Sequence, residues 1–286
     1  MLIDRWIKKN TKSLVGRWVA ISGSTGGIGR ELCFHLASLG ASLVLVDRNS
    51  EKSFALAEQI KKKYSVDISH IKADMADMDS VRMAADSLLD MDIDYLILNA
   101  GAYSIPRCIC STGYDNVFQI NFVSPYYLAR RLLNKIRQRG GRIIAVGSIA
   151  HNYSKIDESD IDFRDRKQAS LVYGNAKRYL TYSLMSLSQG DVLIAHPGIT
   201  FTGITNHYPP LIFALIKHPM KVIFMSPKYA SLSILYGLFA LVPNDSWIGP
   251  ALFDIWGLPK AKKLNTAAES ERERIVKIAE NIYNDI

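Results

Sequence analysis

Tyr173 and Lys177 stand four residues apart in a stretch of helical character, so their side chains project from one face. A phenol with an ordinary pKa near ~10 is a poor base at neutral pH, and a neighbouring ammonium favours its ionised form. The pair suits proton exchange with an oxygen atom of a small molecule, work that typically contributes roughly 10²–10⁴ in rate. Ser148 follows the short aliphatic run Ile143–Val146. A hydroxyl at the end of such a strand lies in the crevice where open α/β sheets bind ligands, and it can hold the same oxygen.

A second cluster speaks for phosphate. Ser22-Gly23-Ser24-Thr25-Gly26-Gly27-Ile28-Gly29 follows the first apolar run and opens directly into a helical period. Gly23 suits the tight turn out of a strand, Gly27 lets backbone approach a pyrophosphate, and Gly29 lets the helix pack close. The helix N-terminus then offers unpaired N–H groups and the positive end of its dipole. Eighteen residues past Gly29 stands Asp47, followed by Arg48. A carboxylate there can accept bonds from the adenosine ribose and repel a 2′-phosphate, whereas the guanidinium can neutralise that phosphate or simply face solvent. Because Ser24 adds no second positive charge, the sequence favours NAD over NADP.

These groups need a scaffold. Trp18–Ile21, Leu43–Val46, Ile68–Ala73, Tyr95–Leu98, Ile143–Val146 and Val192–Ala195 are short, aliphatic runs with little alternation, as expected of parallel strands covered on both faces. Helical segments alternate with them; the first places Ile28, Leu32, Leu36 and Leu39 on one stripe and stops at Gly40. The expected fold is α/β: one doubly wound Rossmann domain over 14–286, with a parallel sheet of about seven strands, helices on both faces and an amphipathic leader over 1–13.

The glycine spacing resembles that of the short-chain dehydrogenase/reductase family. So do Leu98-Asn99-Ala100-Gly101, Asn121, Ser148, Tyr173-x-x-x-Lys177 and Pro197-Gly198-x-x-x-Thr202, which follow in the family's order. The resemblance covers roughly Leu14 to Pro259. It implies an NAD(P)-dependent oxidoreductase in which Tyr173 exchanges a proton with substrate while hydride moves at the carbon. Lys177 would also bind the nicotinamide ribose, Asn121 would brace a proton-relaying water, and Thr202 would hold the carboxamide. The cofactor would lie along Gly23, Ser24, Thr25, Gly27, Ile28 and Gly29, then Asp47, Arg48, Asp74 and Met75. From there it would pass Asn99, Ala100 and Gly101 to reach Pro197, Gly198, Ile199 and Thr202. An asparagine bonded to helix backbone is the competing reading of Asn121, and a helix cap that of Asp74. Four positions depart from the family pattern: Ser22 for threonine, Leu98 for asparagine, Gly147 for serine and Ser124 for glycine. None removes a reacting group. A non-catalytic dinucleotide-binding scaffold or redox sensor is the alternative function, and loss of Ser148, Tyr173 or Lys177 would mark it; all three are present.

Between Ser148 and Tyr173 lie 24 residues, and Ala150-His151 with Asn152-Tyr153 resembles retinol-dehydrogenase-like members. His151 and Tyr153 line the pocket in one reading and cap the loop in the other. The apolar segment Tyr208–Met225, within a substrate-covering stretch of about 200–226, suits a retinoid-, steroid- or lipid-like alcohol or carbonyl; packed core and shallow membrane contact are its other readings. No ligand set for a metal accompanies His151.

The net charge of +8 arises from 35 basic and 27 acidic residues, with six basic ones and no acid in Arg130–Arg142. A solvated helix face comes first, an anionic membrane surface second, and nucleic acid is not expected because no binding motif accompanies the charge. Family members often dimerise through the helices after Asn121 and around Tyr173, so a homodimer is allowed. Three cysteines cannot form a disulfide framework and no secretory core opens the chain, which fits a reducing, cytoplasmic setting. The longest apolar run, Tyr229–Val242, has 14 residues against the roughly 18 that a span requires, leaving only peripheral membrane association open.

Overall fold

The computed structural model describes residues 2–200 and 225–286. Thr202 and most of the proposed cover, 201–224, lie outside the described residues. The strands form one eight-stranded sheet in the order β3-β2-β1-β4-β5-β6-β7-β8. These are β1 Trp18–Ser22, β2 Ser42–Asp47, β3 Ile68–Lys72, β4 Tyr95–Leu98, β5 Arg142–Val146, β6 Val192–Ala195, β7 Ser246–Leu252 and β8 Trp256–Lys263. All pair in parallel except β8, which runs antiparallel to β7. The sheet thus exceeds the expected seven strands by one lysine-bearing antiparallel edge strand, a composition that blunts edge-to-edge pairing.

Alternate residues of each central strand enter opposite cores. Ala20, Val44 and Leu96 join one layer, built with α4 Met78–Leu89, the single turn α5 Asn116–Phe118, α6 Ser124–Gln138, α7 Ala169–Leu187 and α9 Glu269–Asp285. Val19, Ile21, Leu43 and Ile97 join the other, with α2 Gly27–Ser38, α3 Ser50–Lys61 and α8 Pro227–Gly237. Helix α1, Leu2–Asn10, docks on this second layer: Ile3 is buried and Trp6 meets Tyr236 edge-on at 5.6 Å. Side-chain caps start α3, where Asn49 accepts from Lys52 N, and α4, where Asp77 accepts from Asp79 N and Ser80 N.

The strand order reverses between β1 and β4, and the crevice outside their C-terminal ends is where this fold binds ligands. The basic run on α6 is answered from other elements. Arg130 pairs with Glu280, Arg131 with Asp86, Arg137 with Asp191, and Arg139 with Asp92 and Asp94. Tyr283 of α9 also packs on Tyr126 and Tyr127, so α9 lies over the face of α6.

Candidate active site

The glycine turn is held from below. Gly23 N donates to Val46 O at 2.9 Å, and Asn99 Nδ2 donates to the carbonyls of Ser22 and Gly23 at 3.1 and 2.8 Å. Ser22 Oγ accepts from Asn99 N and Ala100 N, both at 3.1 Å, so serine fills the family's threonine role. Helix α2 starts with no side-chain cap, leaving its first N–H groups for a ligand. A Cβ on Gly29 would lie 2.3 Å from Gly23 O, so only glycine lets helix and turn approach this closely. Above the turn opens a cleft of about 530 Å³, bounded by the glycine residues, Asp47, Arg48, Asp74, Met75 and Asn99–Gly101. A cleft of this volume that takes in the uncapped helix N–H groups fits a dinucleotide and its pyrophosphate.

Asp47 borders this cleft, but its carboxylate is engaged by the glycine turn. Ser24 Oγ donates to one of its oxygens, and Thr25 N and Oγ1 donate to the other, each at 3.2 Å. The carboxylate is buried and braces the turn, and Ser24 is buried with it. The turn thus competes with an adenosine ribose for these oxygens, and Asp47 alone does not select NAD. The Arg48 side chain is 75% exposed and lies 3.9 Å from Asp74, an exposed pairing of small worth. Asp74 accepts from Ala76 N rather than capping α4, and the Met75 carbonyl accepts from Ser124 Oγ at 2.7 Å.

Beyond Gly101 and Tyr103, which line the cleft, lie the three candidate reacting residues Ser148, Tyr173 and Lys177. Ser148 leaves β5 as the cap of a 3₁₀ turn, Ile149–Asn152, its Oγ accepting from Ala150 N at 3.2 Å. The Tyr173 phenol lies near enough to Ser148 for the serine to favour its ionised form, and Lys177 Nζ sits 5.7 Å from the Tyr173 ring centre while donating to Val146 O at 2.9 Å. A Cβ on Gly101 would lie 2.9 Å from Asn121 Oδ1 and 3.8 Å from Lys177 Nζ, so all three residues border one point. Asn121 occupies a π-turn, Gln119–Val123, where Nδ2 donates to Ala102 O at 2.7 Å and Val117 O at 2.8 Å. Such turns mark functional sites, and this one keeps the Asn121 carbonyl near the lysine.

The electrostatics differ from the expected pairing. Burial pushes the Tyr173 phenol up to about 12, against the opposing pull of Ser148. Burial also brings the Lys177 ammonium down to about 7. The lysine, drawn back onto Val146 O, does not lower the phenol's pKa here, and Tyr173 stays protonated at neutral pH.

The short chain dehydrogenase family profile matches residues 17–159, half of the chain. The chain belongs to this family. It is 26% identical to mouse polyprenol dehydrogenase over 275 residues, covering 91% of this chain and 81% of that protein. It is 28% identical to human retinol dehydrogenase 13 over 232 residues, covering 72% and 70%. Among solved structures, an uncharacterised protein from Mycobacterium paratuberculosis superposes with a TM-score of 0.75 at 22% identity, covering 96% of each chain. The Pseudomonas aeruginosa RhlG–NADP complex superposes with a TM-score of 0.62 at 21% identity, covering 80% and 91%. As a short-chain dehydrogenase/reductase the protein is an NAD(P)-dependent oxidoreductase that interconverts an alcohol and its carbonyl.

In this short-chain dehydrogenase two expected pocket residues lie elsewhere. His151 is fully buried, with Nδ1 on Ser148 O at 2.7 Å and Nε2 on Thr266 Oγ1 at 2.8 Å, so neither nitrogen reaches substrate. Tyr153 is exposed on a separate recess beside Lys155 and Arg274. Pro197 and Gly198 follow β6 as expected, and Met225 N donates to Ile199 O at 3.0 Å, so the chain leaves and re-enters the described residues at this rim. Gly147 has a steric reason: a Cβ there would stand 2.6 Å from Ile194. One residue was missed. Tyr103 lines the cleft and meets the Tyr173 ring edge-on at 5.3 Å, with Ile105 beside it. Its position two residues past Gly101 was the available signal. Among the described residues no cluster of His, Cys, Asp and Glu could hold a metal, and no helix is long and apolar enough to cross a membrane.

Proposed function

We propose that this enzyme reduces an apolar aldehyde or ketone, with Tyr173 as the proton donor. The observation that carries this reading is the placing of the Tyr173 phenol beside Ser148 and under the wall of the Tyr103 ring and Ile105, where burial raises its pKa as suits a proton donor. When bound, a reduced nicotinamide dinucleotide supplies hydride to the carbonyl carbon. Ser148 donates a hydrogen bond to the carbonyl oxygen, Tyr173 O–H delivers the proton, and the product is the alcohol. Lys177 would steady the phenolate by turning its ammonium from Val146 O toward the phenol, and Gly101 keeps the space between it and Asn121 clear. Lipophilic alcohols named for two relatives, polyprenol and retinol, support the apolar class.

For the cofactor, the commitment of Asp47 to Ser24 and Thr25 and the exposure of Arg48 and Lys52 at the rim favour NADP over NAD. A dimer through α6 and α7 would have to displace α9, so we assign the chain a catalytic unit that needs no partner there. The test is nicotinamide absorbance with NADPH and a panel of all-trans-retinal, decanal, a steroid ketone and a ketose. Turnover of the apolar members is expected; turnover confined to the ketose would overturn the substrate class.

A further inference from the structure

The Ser148 hydroxyl is oriented by a turn whose anchor lies on the C-terminal helix. Gly174, next to Tyr173, brings α7 against this turn: a Cβ there would lie 2.4 Å from Ala150 O. The Ser148 carbonyl can only accept, so His151 Nδ1 carries the proton and Nε2 is an acceptor. Thr266 must then donate its hydroxyl hydrogen to Nε2, and Tyr182 O–H must donate to Thr266. Burial and the nearby Arg178 hold His151 below its usual pKa, which preserves this tautomer.

Arg178 locks the assembly. Its Nη1 donates to His151 O at 2.9 Å and its Nη2 to Thr266 O at 2.8 Å. Its Nε and Nη2 fork onto both oxygens of Glu271 at 2.8 and 2.7 Å. Glu271, in the first turn of α9, also accepts from Ile156 N at 3.3 Å. Arg178 directly follows Lys177, so one turn of α7 carries a reacting group and the anchor of the serine turn. Nothing in this set touches the cleft.

We propose that Glu271 is a positioning residue that holds the Ser148 hydroxyl against Tyr173 through Arg178, His151 and Thr266. The proposal rests on the role given to Ser148 above. A group displaced by about an ångström can lose on the order of a hundredfold in rate, and loosening the fork lies below that limit.

Two measurements test it. Hydrogen exchange of full-length Glu271→Gln should accelerate about tenfold across residues 148–154, where Ala150, His151 and Tyr153 N–H groups are bonded, and stay unchanged across 22–30. Unchanged exchange across 148–154 overturns the proposal. In decanal or retinal reduction, Glu271→Gln should lower kcat about tenfold with NADPH Kd unchanged, and by less than about twofold in a Ser148→Ala background. Equal losses in both backgrounds overturn positioning through Ser148, whereas full activity of Ser148→Ala alone would instead refute the role of the serine. Should Glu271→Gln fail to fold, Thr266→Val cuts the bond to His151 while sparing the ion pair; a similar kcat loss, restored by Thr266→Ser, is expected, and no loss overturns the proposal.

Discussion

Replacing Lys177 by methionine should stabilise the cofactor-free protein while abolishing turnover. Lys177 is 2% exposed, and burial moves its pKa from 10.5 to about 7. At about 1.4 kcal/mol for each tenfold change, this sets a ceiling of about 5 kcal/mol on the cost of holding the charge in the fold. Methionine also loses the bond to Val146 O, worth about 1–3 kcal/mol, so a net gain of about 2 kcal/mol is expected below pH 7. The sign follows from proton counting. Between about 7 and 10.5 the unfolded lysine keeps a proton that the native one has lost, so the parent gains stability as pH rises. The advantage of the variant must therefore shrink through that window, cross zero within it and reverse by about 1–3 kcal/mol at its upper end, where only the lost bond to Val146 O remains. Urea unfolding followed by tryptophan fluorescence at about pH 6, 8 and 10 reads this directly. A variant less stable than its parent at the lowest pH, or a gain that does not change with pH, would refute the reasoning.

Other outcomes follow from the cleft. Gly29→Val places side-chain atoms where even a Cβ would stand 2.3 Å from Gly23 O, and dinucleotide affinity measured by fluorescence should fall on the order of a hundredfold or more. Arg48→Ala should weaken NADPH binding about tenfold and leave NADH within about twofold; equal losses would remove Arg48 from cofactor choice. Tyr103→Ala removes the edge-on wall beside Tyr173 and should raise KM for an apolar carbonyl by about tenfold, with NADPH Kd unchanged.

The scaffold was largely legible because its signals are local. Aliphatic runs mark the first six, parallel strands, and Gly23–Gly29 marks the turn between β1 and α2. The edge of the sheet was less legible: Gly249 and Pro250 interrupt β7, while Gly257, Pro259 and three lysines give β8 no clean alternation. At the site, Ser148, Tyr173, Lys177 and Asn121 were readable by type and order, but their environments were not. Residue type says that Asp47 can meet a ribose; only the folded turn shows Ser24 and Thr25 taking its oxygens. His151 carries the same ambiguity, since burial by Trp247, Tyr182 and Thr266 is assembled from distant segments. The basic run of Arg130–Arg142 reads first as a solvated helix face and second as a surface for an anionic membrane, yet acids from four other elements or loops meet it within the fold.

The role of Tyr173 is tested most directly by Tyr173→Phe, which keeps the ring packed on Tyr103 and removes only the hydroxyl beside Ser148. NADPH Kd and single-turnover reduction of all-trans-retinal and decanal should be measured on the same preparation. Unchanged affinity with turnover reduced at least about a hundredfold is expected; turnover within a few-fold of the parent would contradict a phenol as the proton donor.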